Sequence, residues 1–138
     1  MCVVVRYLFE GKAVERRFLQ AGARLPVKMK RGDRQLFLWG RRQTERGELP
    51  VGGWARLTAI QSGDWDRFAP VPVKLELLEF AVLDVGQRLN WFPVVGGKFV
   101  QGLMASMGKE HRVYVVVLDA TPDEGTFERW PRLITALV

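Results

Sequence analysis

The sequence predicts an α+β fold that is predominantly β, with a few short helices, in one domain spanning residues 1–138. Three observations carry this expectation. Apolar, β-branched and aromatic residues come in short runs separated by turn-forming residues, as in Val3–Phe9 and Gln35–Trp39. Pro70 and Pro72 exclude a helix from the middle of the chain. The run Val113–Leu118 is apolar on both alternating faces, the pattern of a central strand covered on both sides.

Taken in order, Val3–Phe9 reads as a strand, Glu10-Gly11-Lys12 as a turn and Ala13–Leu19 as the returning strand. Arg24–Lys30 alternates, with Leu25, Val27 and Met29 facing one way and Pro26 interrupting the basic face. Gly32-Asp33 marks a turn before Gln35–Trp39, which ends at Gly40. Arg41–Gly53 is polar and glycine-bearing and reads as a loop. Residues 54–62 fit either a strand end or a short helix, and Lys74–Leu83 is expected as one strand because prolines flank it. Arg88–Val95, Lys98–Ala105 and Arg112–Leu118 complete the β-rich core, with Gly96-Gly97 as a hairpin turn and Pro122–Gly125 as a turn or helix start. Repeats, low-complexity tracts and linkers are absent from the sequence.

Composition narrows the function. With 48% hydrophobic and 26% charged residues, the 138-residue chain can build a core and is not of the disordered class. No apolar run reaches the roughly 18 residues of a membrane span, and the apolar stretch before Arg6 is too short for a signal-peptide core, so a cytoplasmic location is expected. Cys2 is the single cysteine and His111 the single histidine, which leaves no intrachain disulfide and no Cys/His zinc site. A Ser-His-Asp or Cys-His catalytic system would have to use His111, whose setting between Glu110 and Arg112 reads as surface. No metal or cofactor is expected.

The charge is uneven. Residues 1–47 hold 12 Lys/Arg against 4 Asp/Glu, whereas residues 48–138 hold 9 against 11. The net +6 therefore comes from the first third, which fits either a polyanionic partner or a solvated basic surface. Trp65, Trp91 and Trp130 read as packing residues.

Several short motifs occur in an order similar to one known family. Met1-Cys2 precedes an apolar strand; Trp39-Gly40 closes a strand; Trp54-Ala55-Arg56 follows. An apolar strand, Leu75–Leu83, contains Phe80; then come Gln101-Gly102-Leu103-Met104, the Val113–Leu118 strand and Phe127-Glu128-Arg129-Trp130-Pro131. This order resembles the SRAP (SOS response-associated peptidase) family, whose members react with abasic sites in single-stranded DNA. The resemblance spans the chain, which would be a short, divergent member of a kind that suits a phage origin. It implies a twisted antiparallel, barrel-like sheet, a DNA-damage (SOS) role and single-stranded DNA as partner.

The resemblance also assigns roles. Removal of Met1 would leave Cys2 as a mature N-terminal 1,2-aminothiol, able to condense with the abasic-site aldehyde and close to a thiazolidine. The chain departs from the family at three supporting positions: Trp54 stands at its asparagine, Val82 at its glutamate and Phe127 at its histidine. Glu128 is the nearest replacement acid in sequence, or simply a solvated carboxylate. Arg56 and Arg129 match its phosphate-contacting arginines, and arginine's planar fork suits phosphate oxygens. Trp39 reads as a base-stacking aromatic or as a core residue, and Arg41 and Arg42 as phosphate partners or solvated loop residues. Three functions are therefore expected to compete: an abasic-site cross-linker, a DNA-binding pseudoenzyme and an interaction protein without nucleic acid. The family's older peptidase label implies N-terminal self-processing, and no separate protease site accompanies it.

Overall fold

A computed structural model describes residues 2–119 and 129–135, with the side chains of Cys2, Asp119 and Arg129 excepted. Cys2–Phe9 (β1) and Lys12–Arg17 (β2) form the first hairpin. Its Glu10-Gly11 turn has φ of 53° and 78°, the paired positive values of a two-residue turn that follows the strand twist. Arg24–Lys28 (β3) and Arg34–Leu38 (β4) form the second hairpin. Residues 54–62 realise both sequence alternatives in succession: Trp54–Arg56 (β5) runs into the short helix Leu57–Gln61 (α1). A 3-10 turn at Asp66–Phe68 follows. The remaining strands are Val71–Leu75 (β6), Glu79–Leu83 (β7), Leu89–Pro93 (β8), Lys98–Met107 (β9), Glu110–Asp119 (β10), Arg129–Pro131 (β11) and Leu133–Thr135 (β12). The Pro122–Gly125 segment lies outside the described residues.

The strands make two sheets. The smaller has the order β2-β1-β7-β8; the larger runs β11-β10-β9-β6-β3-β4, with β12 added to β9 and β5 to β10. The protein is thus predominantly β with few helices; no closed barrel is found among the described residues, although the residue after β4, Trp39, bridges back to Val113 of β10. The antiparallel expectation holds for every strand pair except β5, which runs parallel to β10.

Lys74–Leu83, expected as one strand, is corrected: it is found as two. Glu76 N–H donates to the Pro26 carbonyl of the larger sheet at 3.3 Å, and Leu78 N–H donates to the Arg6 carbonyl of the smaller sheet at 2.8 Å. The chain therefore crosses between sheets at residues 76–78, and β6 and β7 take different partners. The Gly96-Gly97 turn is likewise not a hairpin, because it joins β8 of the smaller sheet to β9 of the larger.

Alternation along β10 explains its apolar run. Val113, Val115 and Val117 enter the main core with Val5, Phe80 and Val100. Tyr114 and Val116 face the other way into a second cluster, roofed by Trp65, Phe68 and α1. Burial of such side chains contributes about 1.5–3 kcal/mol each, which makes β10 the hinge of both cores. Among the described residues no helix is long and apolar enough to cross a membrane.

Candidate functional site

The N-terminal strand is anchored at its start. Cys2 is the Cα partner of Val82 on β7, and the register then slips between Cys2 and Val4. Such a bulge re-aims side chains. Beside it opens a groove of about 710 Å³, whose lining includes Val3, Val4, Phe18, Trp54, Leu83 and Asp84. The walls are mostly apolar, and Leu19 at the rim is 85% exposed.

The aromatic wall is built by three segments. Trp54, at the head of β5, packs on Phe18 with ring centres 5.0 Å apart, and Phe18 meets Trp39 edge-on at 5.5 Å. Trp54 is only partly buried and faces the groove; Trp39 is 0% exposed. Trp39 Nε1 donates to the Gly53 carbonyl at 3.0 Å. The expectation that Trp39 stacks on a base is therefore corrected: it is the core residue that fastens β4 to the loop. The glycine after it has a packing reason. A Cβ on Gly40, at φ 54°, would lie 2.1 Å from the Gly52 carbonyl oxygen.

Arg41 and Arg42 are corrected as well. Arg41 is partly buried, and its Nη1 donates to the Glu45 carbonyl at 2.8 Å. Arg42 is 7% exposed, and its Nε donates to the Phe18 carbonyl at 2.7 Å. Its Nη1 lies 3.1 Å from Glu45 Oε1, and its guanidinium lies over the Phe18 ring. Arg41 ties the 41–53 loop to itself, and Arg42 ties the loop to Phe18, so each guanidinium satisfies a carbonyl that would otherwise need another donor.

Arg112 and Glu110 complete this network, and neither stands out in the sequence as its member. Arg112 Nη1 donates to the Gly40 carbonyl at 2.9 Å and lies 3.2 Å from the same Glu45 oxygen. Glu110 lies 3.3 Å from Arg112 Nε and accepts from the backbone of Glu48 and Leu49. Desolvation pushes the Glu45 carboxyl up, but hydrogen bonds from the Arg42 backbone and guanidinium, with the charges of Arg42 and Arg112, hold it below its ordinary value.

The remaining expected residues are dispersed. Val82 is 0% exposed and belongs to the main core. Arg56 is exposed at the end of β5, one residue from Ala55 of the second core. Arg129 stands opposite Asp119 in the backbone pairing of β11 with β10. Phe127 and Glu128 lie outside the described residues. His111 is exposed, with Nδ1 2.7 Å from Ser106 Oγ.

Asp84 is the acid that sequence reasoning missed. It borders the groove just beyond Leu83 on β7. The Arg88 N–H at 3.0 Å, the Asn90 amide at 3.1 Å and the Gly86 N–H at 2.8 Å all donate to it. The Arg88 backbone bond, then the Asn90 bond, hold its carboxyl below the ordinary value. The Asp84-x-Gly86 spacing, typical of an aspartate that caps its own turn, is the sequence signal for it. The arrangement supplies an apolar groove beside the N-terminal strand, an ionised carboxylate at its edge and an aromatic wall. Comparisons with protein-family models, curated proteins and solved structures found no match.

Proposed function

We propose that this chain is a divergent SRAP-like protein that binds single-stranded DNA and cross-links abasic sites through Cys2. The observation that carries the reading is the meeting of distant motifs. Cys2 is registered against Val82, and Trp54 lines the same groove as Val3 and Val4. These are the positions at which the sequence resemblance aligns a nucleophile, an acid and a positioning amide.

With Met1 removed, the Cys2 amine attacks the ring-opened abasic aldehyde, and water leaves to give an imine. The thiolate then adds to the imine carbon while the nitrogen takes a proton, closing a thiazolidine. No oxidant or cofactor enters the balance. Unperturbed amine and thiol pKa values near ~8 and ~8.5 leave a fraction of each reactive at neutral pH. The apolar walls favour the dehydrated imine. Proton delivery is weak: Val82 has no proton to give, and Asp84 is held ionised by three donors. Proton transfer by a positioned side chain is commonly worth about 10²–10⁴ in rate, so the reaction is slow.

A second reading is a SRAP-like DNA-binding module that has lost the chemistry. Its specific support is the apolar pair Trp54 and Val82 at the proton-handling positions. An intracellular setting, a DNA-damage role and a phage origin accompany either reading. The deciding experiment mixes purified protein with an abasic single strand and resolves the products on a denaturing gel. A covalent band that disappears in Cys2→Ala supports cross-linking. DNA binding without a band leaves the module reading, and neither binding nor a band sinks both. Intact mass of the same sample reports removal of Met1.

A further inference from the structure

The loop of residues 41–53 bears on one wall of the groove through Phe18. Phe18 follows β2 and lines the groove with Val3 and Trp54. Its backbone is bonded on both sides: its N–H donates to the Val3 carbonyl at 3.0 Å, and its carbonyl accepts from Arg42 Nε at 2.7 Å. A continuous path of bonds therefore runs from Arg42 through Phe18 to the residue after Cys2. The ring is held as well. The Arg42 guanidinium carbon lies 4.7 Å from its centre, and a Cβ on Gly53 would come within 2.7 Å of Phe18 Cδ1. Residues near the start and at the end of the loop thus both press on Phe18.

Two features single out Arg42 within its network. Arg41 bonds carbonyls of the loop itself, and Arg112 and Glu110 bond the loop to β10. Among the described residues, Arg42 is the member of this network bonded to a residue of the groove. Secondly, Arg42 is 7% exposed, yet its Nη2 has no hydrogen-bond partner among the described residues. A buried donor without a partner lowers stability, and a buried ion pair can often be replaced by apolar side chains of similar volume without loss. Stability of the loop therefore does not account for an arginine here. Geometry does. One planar guanidinium fixes the Phe18 carbonyl through Nε, the Phe18 ring beneath it and Glu45 Oε1 through Nη1 at 3.1 Å. Arg112 Nη1 holds the same Glu45 oxygen at 3.2 Å, which ties Phe18 back to β10.

We propose that Arg42 is a positioning residue of the groove: it acts through Phe18 to hold the wall beside the Cys2 strand in one arrangement, against which the reacting nucleotide is placed. A displacement of about 1 Å in such a wall lowers the rate at the site by up to about 100-fold, even when the altered residue lies far from the reacting atoms. The inference rests on the groove as the place where an abasic strand meets Cys2, and it assigns Arg42 no contact with DNA.

The test is a double-mutant cycle on single-turnover adduct formation between the full chain and a saturating abasic single strand. Arg42→Met keeps an apolar stem over Phe18 and removes the bonds to its carbonyl and to Glu45. Phe18→Leu removes the ring. Each is expected to lower the maximal rate by about 10-fold or more. The double variant is expected to be no slower than Phe18→Leu alone, because a residue acting through another adds nothing once that other is gone. Losses that multiply overturn the inference, as does an unchanged rate in Arg42→Met. Arg112→Met is the control: it cuts the bonds to the Gly40 carbonyl and Glu45 and leaves Arg42 Nε on Phe18. Its rate should stay within about twofold of wild type even though its urea midpoint falls. A rate loss as large as in Arg42→Met overturns positioning in favour of a general loosening of the loop. If Arg42→Met does not fold, Arg42→Lys takes its place in the cycle with the same deciding outcomes. Absence of an adduct in the wild-type chain defeats the cross-linking reading instead. The same cycle is then read in the dissociation constant of the strand, where multiplying or absent effects overturn the positioning role and non-multiplying effects sustain it. A wild-type chain that neither binds nor reacts overturns both.

Discussion

Cys2 stands directly opposite Val82 in the antiparallel pairing of β1 with β7, so the residue proposed as nucleophile has an apolar neighbour across the ladder. The consequence is a specific gain-of-function expectation. Val82→Glu places a carboxyl beside Cys2 that desolvation keeps partly protonated near neutral pH. We expect single-turnover adduct formation with an abasic strand to accelerate by about 10²-fold. The same change puts a polar group into the main core and should cost roughly 3 kcal/mol in urea unfolding. An adduct rate unmoved in folded Val82→Glu would falsify the assignment of position 82 to proton transfer.

The Trp39–Gly40 pair acts through packing. Gly40→Ala drives a Cβ toward the Gly52 carbonyl at 2.1 Å, where only backbone can yield. Its expected cost is about 3 kcal/mol or more. Trp39→Phe removes the hydrogen bond to Gly53 and should cost about 1–2 kcal/mol while leaving oligonucleotide affinity within twofold. Thermal unfolding and anisotropy on the same samples separate the two effects; a large loss of affinity in stable Trp39→Phe would restore it as a DNA contact.

Glu45 predicts an acid-sensitive loop. Its carboxyl is held below the ordinary value of 4.5 in the folded protein. A depressed folded value means that its contribution is fully present above the unfolded pKa and is lost as pH falls through the folded one. Urea midpoints should therefore decline from about pH 4.5 downward. Glu45→Gln should lower stability at pH 7 by about 1–2 kcal/mol, through weaker bonds to Arg42 and Arg112, and should remove its share of the acid decline. A midpoint that falls identically with pH in both proteins would show that Glu45 is not the group responsible.

The β1–β2 turn is a site for gain of stability. Glu10 is exposed and holds φ at 53°, a region that asparagine tolerates better than glutamate. Glu10→Asn should raise stability by about 0.5–1 kcal/mol, seen as a higher unfolding temperature with adduct yield unchanged. A lower unfolding temperature would mean that the Glu10 side chain itself supports the turn.

The sequence alone determined the elements whose signals are local. The alternation of Val113–Leu118 marked the doubly covered strand, because a side-chain period of two exposes both faces of β10 to apolar cover. Glycine and proline positions marked most of the turns. It also showed the basic first third of the chain. Tertiary structure decided whatever depends on partners distant in sequence. The single apolar run at 74–83 divided between two sheets because its backbone donors met Pro26 and Arg6, residues that no local pattern connects with it. Arg41 and Arg42 look like solvent cations in a polar loop, yet the fold brings Glu45 and the Phe18 carbonyl within reach and turns them inward. Lys28 and Lys74 are 46 positions apart and unremarkable separately; the strand register makes them neighbours over Phe99. Local chemistry chose the strands, and long-range hydrogen-bond pairing chose which charges are consumed by the fold and which face outward.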